Sequence, residues 1–127
     1  MNIIITGGSG LIAGRLTDLI KNMHNITLVS RTKISPINRV KIINANKLNS
    51  KTLLSQDIII HTASPNDRQC DDKEVREKYL KDTKILIDKA AECNIKKFIF
   101  TSSTRVYGKN PNGNIKLWKN VIWYQVV

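Results

Sequence analysis

Cysteine is scarce in these 127 residues, and neither Cys70 nor Cys93 belongs to a CxxC pair. That excludes a disulfide framework and makes a cytoplasmic location the expectation. Long apolar runs are missing too, since none approaches the roughly 20 residues a membrane span needs. The apolar start has no basic segment before it, so it does not read as a signal peptide. Aromatic residues make up 6% of the chain and do not interleave with the cations. Single-strand nucleic-acid binders use such residues as stacking platforms. Acidic residues are the minority charge, 10 against 21 Lys and Arg, for a net charge of +11. The longest basic run is only Lys96-Lys97, so the excess reads as a solvated face. Some of it is still available to draw in an anionic ligand. A basic nucleic-acid binder remains a rival reading; it predicts salt-dependent affinity for DNA or RNA.

What is present is an apolar content of 41% at about one domain's length. Ile3-Ile4-Ile5 and Ile58-Ile59-Ile60 can organise a core, which argues against a disordered polyelectrolyte. Short apolar runs at 2–6, 26–30, 40–44, 57–62 and 97–102 read as strands. Between them, Ile12, Leu16, Leu19, Ile20 and Met23 fall at helix spacing, and a short helical stretch is expected near 50–55. A longer helix is expected over 71–93, opened by Asp71 and Asp72 and stopped by Asn94. Along it, Val75, Tyr79, Thr83, Leu86, Ala90 and Cys93 recur at steps of three and four. Neither a repeat nor a low-complexity block interrupts the alternation.

Apolar strands alternating with helices imply an α/β fold with a parallel sheet covered on both faces. Right-handed crossovers then favour a Rossmann-like, doubly wound sheet of strand order 3-2-1-4-5. The sheet edges need covering, and the chain after Ser103 is expected to help with that.

The turn Thr6-Gly7-Gly8-Ser9-Gly10-Leu11-Ile12-Ala13 joins the first strand to the first helix with GxxGxxA spacing. Gly7 permits a tight turn, Gly10 lets backbone approach a pyrophosphate at the helix N-terminus, and Ala13 keeps helix and strand close. A lone glycine motif is weak, but this one sits in the strand–turn–helix context it requires. Dinucleotide binding is expected at Gly7, Gly8, Gly10, Leu11 and Ile12.

TGGSGLIAGRL at 6–16, DIIIHTAS at 57–64, LIDKAAECNIKKFIFTSS at 86–103 and VYG at 106–108 occur in an order and spacing that resemble a known family. It is the extended short-chain dehydrogenase/reductases, the NAD(P)-dependent nucleotide-sugar epimerases, dehydratases and reductases. The resemblance covers residues 1–108, as an NAD(P)-binding half-domain truncated after the fifth strand. It implies a dinucleotide cofactor, a nucleotide-sugar substrate, and a second copy of the chain as a candidate partner. The family's NAD-preferring members place an acidic residue at the end of the second strand, where Ser30 and then Arg31 stand here. Arginine can pair with a 2′-phosphate, so NADP is expected ahead of NAD; the alternative is a surface arginine in a loop. Asn46 matches the family's adenine-contacting Asp, or is a plain polar loop residue. Thr62, Ala63 and Ser64 match the small segment beside the cofactor ribose. His61 reads as a structural histidine, and His24 as a surface residue.

The family's chemistry uses a Ser or Thr, a Tyr and a Lys. Ser103, four residues before Tyr107, matches the catalytic Ser; Ser102 reads as its structural neighbour. The YxxxK pair is absent: Tyr107 has Pro111 at the Lys position, and the Lys for Tyr124 would fall beyond Val127. An unassisted Tyr does not supply an acid/base near neutral pH. Tyr79 stands where the family carries an Asn that holds a relay water. Residues 109–127, with Trp118 and Trp123, read as a diverged or truncated tail. The expected function is therefore cofactor binding without efficient turnover by these residues alone, with a non-catalytic NAD(P)-binding module as the alternative. No metal site is expected.

Overall fold

A computed structural model of the chain describes residues 1–66, 69 and 71–102. The elements run β1 (Asn2–Thr6), α1 (Leu11–Ile20), β2 (Asn25–Ser30), β3 (Val40–Asn44), a 3-10 turn (Ala45–Lys47), α2 (Ser50–Leu53), β4 (Ile58–His61), α3 (Lys73–Glu92) and β5 (Lys97–Phe100). All four strand pairings are parallel, and the order is β3-β2-β1-β4-β5. This is the expected Rossmann-like topology. Chain direction across the sheet reverses at β1, so the crevice beyond its carboxyl end, between β1 and β4, is where such sheets hold ligands.

Alternate residues of the central strands feed two cores. Ile4, Val29 and Ile59 point to the side closed by Leu53 of α2, by Leu86 and Ala90 of α3, and by Ile95. Ile3, Ile5, Leu28 and Ile60 point to the side closed by Ala13 of α1, with Leu16, Ile20 and Ile37 packed against them. β-branched side chains suit such strands, buried on both faces. Among the described residues the sheet ends at β3 and β5, both half-exposed.

The α3 stripe falls where its spacing predicts, with Leu86 and Ala90 buried and Val75, Tyr79, Thr83 and Cys93 half-buried. Asp72 caps it, its carboxylate accepting from the N–H groups of Glu74 (2.9 Å) and Val75 (3.3 Å). Asn94 closes it at φ 54, the left-handed conformation. α1 follows its expected stripe only in part, at Leu16 and Ile20. Ala13 and Thr17 are its fully buried residues, while Leu19 is 73% and Met23 67% exposed. Small residues on the inward face bring the α1 backbone close to the sheet, flanked by half-buried Leu16 and Ile20, while Leu11, Ile12 and Leu19 are turned away. The helix also stops at Ile20, giving way to turns over 21–23 rather than continuing to Met23.

Candidate functional site

The glycine turn sits at the carboxyl end of β1. Gly7 has φ +76, and a Cβ placed on it would lie 2.7 Å from the backbone N of Ala63 and 2.9 Å from the carbonyl carbon of Thr62. The segment after β4 therefore passes directly against the turn. Gly8 is buried, and its N–H donates to Val29 O at 2.9 Å, tying the turn to β2. The Gly10 N–H donates back to Gly7 O at 2.8 Å, and a Cβ on Gly10 would lie 3.1 Å from that same oxygen. Gly8 and Gly10 thus shape the turn, their own N–H groups already engaged.

The free donors lie one step further on. Gly10 is the N-cap of α1 and offers no side-chain cap, and the first turn holds no acidic residue. Leu11 and Ile12, as the first helical residues, have no intrahelical acceptor for their N–H groups. Both are exposed, at 73% and 57%. An uncapped helix start with a positive dipole end and no carboxylate suits a pyrophosphate. The residues present fit a dinucleotide, whose diphosphate would be held by the Leu11 and Ile12 amides.

At the end of β2, Ser30 is buried, and its Oγ accepts from Thr32 N at 3.2 Å and lies 3.3 Å from Thr32 Oγ1. Its hydroxyl orders the loop. Arg31 is exposed, and its guanidinium has no ion-pair partner among the described residues. Asn46 is exposed in the 3-10 turn, where its N–H donates to Asn44 Oδ1 at 3.1 Å. Its side-chain amide stands clear of that bond.

Thr62, Ala63 and Ser64 follow β4. The Thr62 Oγ1 donates to Thr6 O at 2.7 Å, fastening this segment to the last residue of β1. His61 is 5% exposed, with Nδ1 2.6 Å from Thr6 Oγ1 and Nε2 3.2 Å from Thr83 Oγ1 on α3. Its ring lies between those of Tyr79 (6.1 Å, 12°) and Phe100 (5.6 Å, 23°), with Phe98 at 6.0 Å. Burial pushes the imidazole from its ordinary 6.5 down to about 4. A neutral ring with both nitrogens engaged is a structural group here rather than a proton carrier.

Ser103, Tyr107 and the tail from 109 lie outside the described residues. Among the described residues, no cluster of His, Cys, Asp or Glu could hold a metal, and no helix is long and apolar enough to cross a membrane. Two features escaped the sequence reading. The Thr6–His61–Thr83 chain joins residues separated by 55 and 22 positions, which no local motif records. A simple charge count would have found the other: residues 19–56 hold seven cations and no carboxylate.

The model of the NAD dependent epimerase/dehydratase family matches residues 3–119. The CDP-abequose synthase of Yersinia pseudotuberculosis is 34% identical over 137 positions, which cover 91% of this chain and 47% of that protein. Among solved structures, the UDP-N-acetylglucosamine 4-epimerase of Methanobrevibacter ruminantium, in complex with UDP-N-acetylmuramic acid, has a TM-score of 0.76 at 24% identity, with 98% of this chain and 45% of that one covered. A mutant UDP-glucuronic acid 4-epimerase of Bacillus cereus, in complex with NAD and a fluorinated UDP-glucuronic acid, has a TM-score of 0.75 at 19% identity, covering 92% and 44%. The chain spans less than half the length of each of these three. With its glycine turn, its strand order and a family match over nearly its whole length, this chain belongs to the NAD dependent epimerase/dehydratase family.

Proposed function

We propose that residues 1–108 are the NAD(P)-binding half-domain of a nucleotide-sugar epimerase, dehydratase or keto-reductase, and that NADP is preferred over NAD. The uncapped, acid-free start of α1 beside the Gly7–Ala63 contact carries the cofactor reading. Arg31 carries the preference: it is exposed at the end of β2, and no carboxylate occurs from 19 to 56 to repel a 2′-phosphate. Asn46 accepts from the adenine amino group, and Thr62, Ala63 and Ser64 line the ribose. Bound cofactor supplies or accepts hydride. Ser103 holds the reacting substrate oxygen.

The family's Tyr–Lys acid/base pair is not among the 127 residues. General acid–base catalysis is worth roughly 10²–10⁴-fold, so these residues alone turn over nucleotide sugars poorly. The alternative is a cofactor-binding module without a reaction. Cofactor binding with or without turnover of nucleotide sugars in the full-length protein separates the two. We also place the protein in the cytoplasm, with no nucleic-acid partner and a second copy of the chain as the candidate macromolecular one. The CDP-abequose synthase likeness makes a CDP-sugar one substrate to assay.

Calorimetry with NADPH and NADH tests the cofactor. The expected result is tighter NADPH binding, lost in Arg31→Asp. An Arg31→Asp chain that keeps the preference removes Arg31 from the argument. DNA or RNA affinity that NADPH does not compete away would replace the whole reading.

A further inference from the structure

We propose that His61 is a positioning residue, a neutral imidazole that holds the glycine turn after β1 and the middle of α3 in one fixed arrangement. Two threonines bond its ring from two other elements, and a third bonds its backbone. Thr6, immediately before Gly7, meets Nδ1 at 2.6 Å, and Thr83 of α3 meets Nε2 at 3.2 Å. Thr101, two residues before Ser103, gives both its N–H and its Oγ1 to the His61 carbonyl oxygen, each at 3.1 Å. Thr62 then closes a loop of bonds by donating to Thr6 O at 2.7 Å.

The chemistry suits a fixed hub. A neutral imidazole needs one donor and one acceptor, and a threonine hydroxyl serves as either, so both nitrogens are satisfied in either tautomer. The rings of Tyr79, Phe98 and Phe100 lie within about 6 Å of it, and it is buried. Buried hydrogen bonds of this kind are expensive to leave half-made, which gives the arrangement a single geometry. Because Thr6 is bonded through both its hydroxyl and its carbonyl, the direction in which the chain enters Gly7 is set by β4. The Gly7 backbone then sets where the Leu11 and Ile12 amides point.

The cofactor arm of the test rests on the dinucleotide reading above, and an exchange arm does not. Asparagine places its amide at the Nδ1 position, and glutamine places its amide at the Nε2 position. His61→Asn therefore keeps the Thr6 link and His61→Gln keeps only the Thr83 link. The measurements are NADPH affinity, amide hydrogen exchange at Gly8 and Gly10, and the unfolding midpoint of each variant. His61→Gln should weaken NADPH about tenfold, the equivalent of one hydrogen bond, and raise Gly8 and Gly10 exchange by a similar factor. His61→Asn should stay within about twofold of the parent on both counts. Thr6→Val should behave like His61→Gln, and Thr6→Ser like the parent, which keeps the test alive if a His61 variant does not fold. Affinity and exchange that simply follow the unfolding midpoint across the four variants, whichever link is kept, would overturn the proposal. If the parent binds neither NADPH nor NADH, the dinucleotide reading fails and exchange at Gly8 and Gly10 alone decides for or against the hub.

Discussion

Replacing Gly7 and replacing Gly14 with alanine adds the same methyl group to the same short stretch, and the two changes should have opposite signs. At Gly7 the new Cβ would stand 2.7 Å from Ala63 N, 2.8 Å from Ala63 Cα and 2.9 Å from Thr62 C. Every one of those atoms is backbone, so no side chain can swing aside. The φ of +76 adds the cost of a left-handed alanine, about 1–2 kcal/mol. Forcing the β4 extension away from the turn adds about 1–3 kcal/mol, in line with other overpacked interiors. Gly7→Ala should therefore lose about 2–5 kcal/mol of stability. At Gly14, inside α1, nothing lies within 4 Å of the added carbon. There alanine only removes unfolded-state freedom and exposed helix backbone, a gain of about 0.5–1 kcal/mol. Urea unfolding followed by circular dichroism measures both, with midpoints compared at constant slope. NADPH titration on the same samples should show binding lost in Gly7→Ala and kept in Gly14→Ala. A Gly7→Ala chain within about 0.5 kcal/mol of the parent would refute the claim that the β4 segment abuts the turn.

Two further outcomes follow from particular contacts. Burial holds His61 at about 4, against an ordinary 6.5, so between those values the unfolded chain binds the extra proton. The stability due to neutral His61 is complete above pH 6.5 and is lost as pH falls toward 4; at roughly 1.4 kcal/mol per unit it reaches up to about 3 kcal/mol. Apart from the Tyr79 phenol, the ring meets no titratable side chain among the described contacts. Urea midpoints across that range should therefore fall more steeply for the parent than for His61→Asn; equal slopes would remove the burial argument. Asp72→Ala removes the acceptor for Glu74 N and Val75 N and should cost about 1 kcal/mol, while Asp72→Asn costs less.

The sheet was legible because its strands need no surface. Ile3-Ile4-Ile5 and Ile58-Ile59-Ile60 are buried or nearly so on both faces, and a run without alternation has few other places in a domain. The α3 stripe was legible for a related reason, since its buried and half-buried residues recur at helix spacing along a helix 20 residues long. α1 was legible at Leu16 and Ile20 but misled elsewhere, because its fully buried residues are Ala13 and Thr17. Spacing rules count large apolar residues, and here close approach to the sheet selects small ones. Leu11, Ile12 and Leu19 then remain in solvent, where hydropathy does not expect them.

The candidate site divides along the same physical line. Gly7 and Gly10 could be read because a missing side chain at fixed spacing is a local signature, and the backbone contacts that require it follow directly. The chain position of Gly8 did not reveal that its N–H is taken by Val29 O, since that bond depends on how β2 lies beside β1. For Ser30 the side-chain bond is to Thr32, only two residues away, a local turn that a serine at a strand end commonly makes. His61 is the clearest case. Its position in HTAS suggested a structural residue, but the partners that make it one come from the end of β1 and the middle of α3. Local sequence specifies the groups that touch a ligand through backbone, because turn geometry is local. The groups that hold those turns in place are specified only by the sheet, because parallel strands bring together residues tens of positions apart. Changing Thr6 or Thr83 should therefore disturb the crevice without altering any motif that announces it.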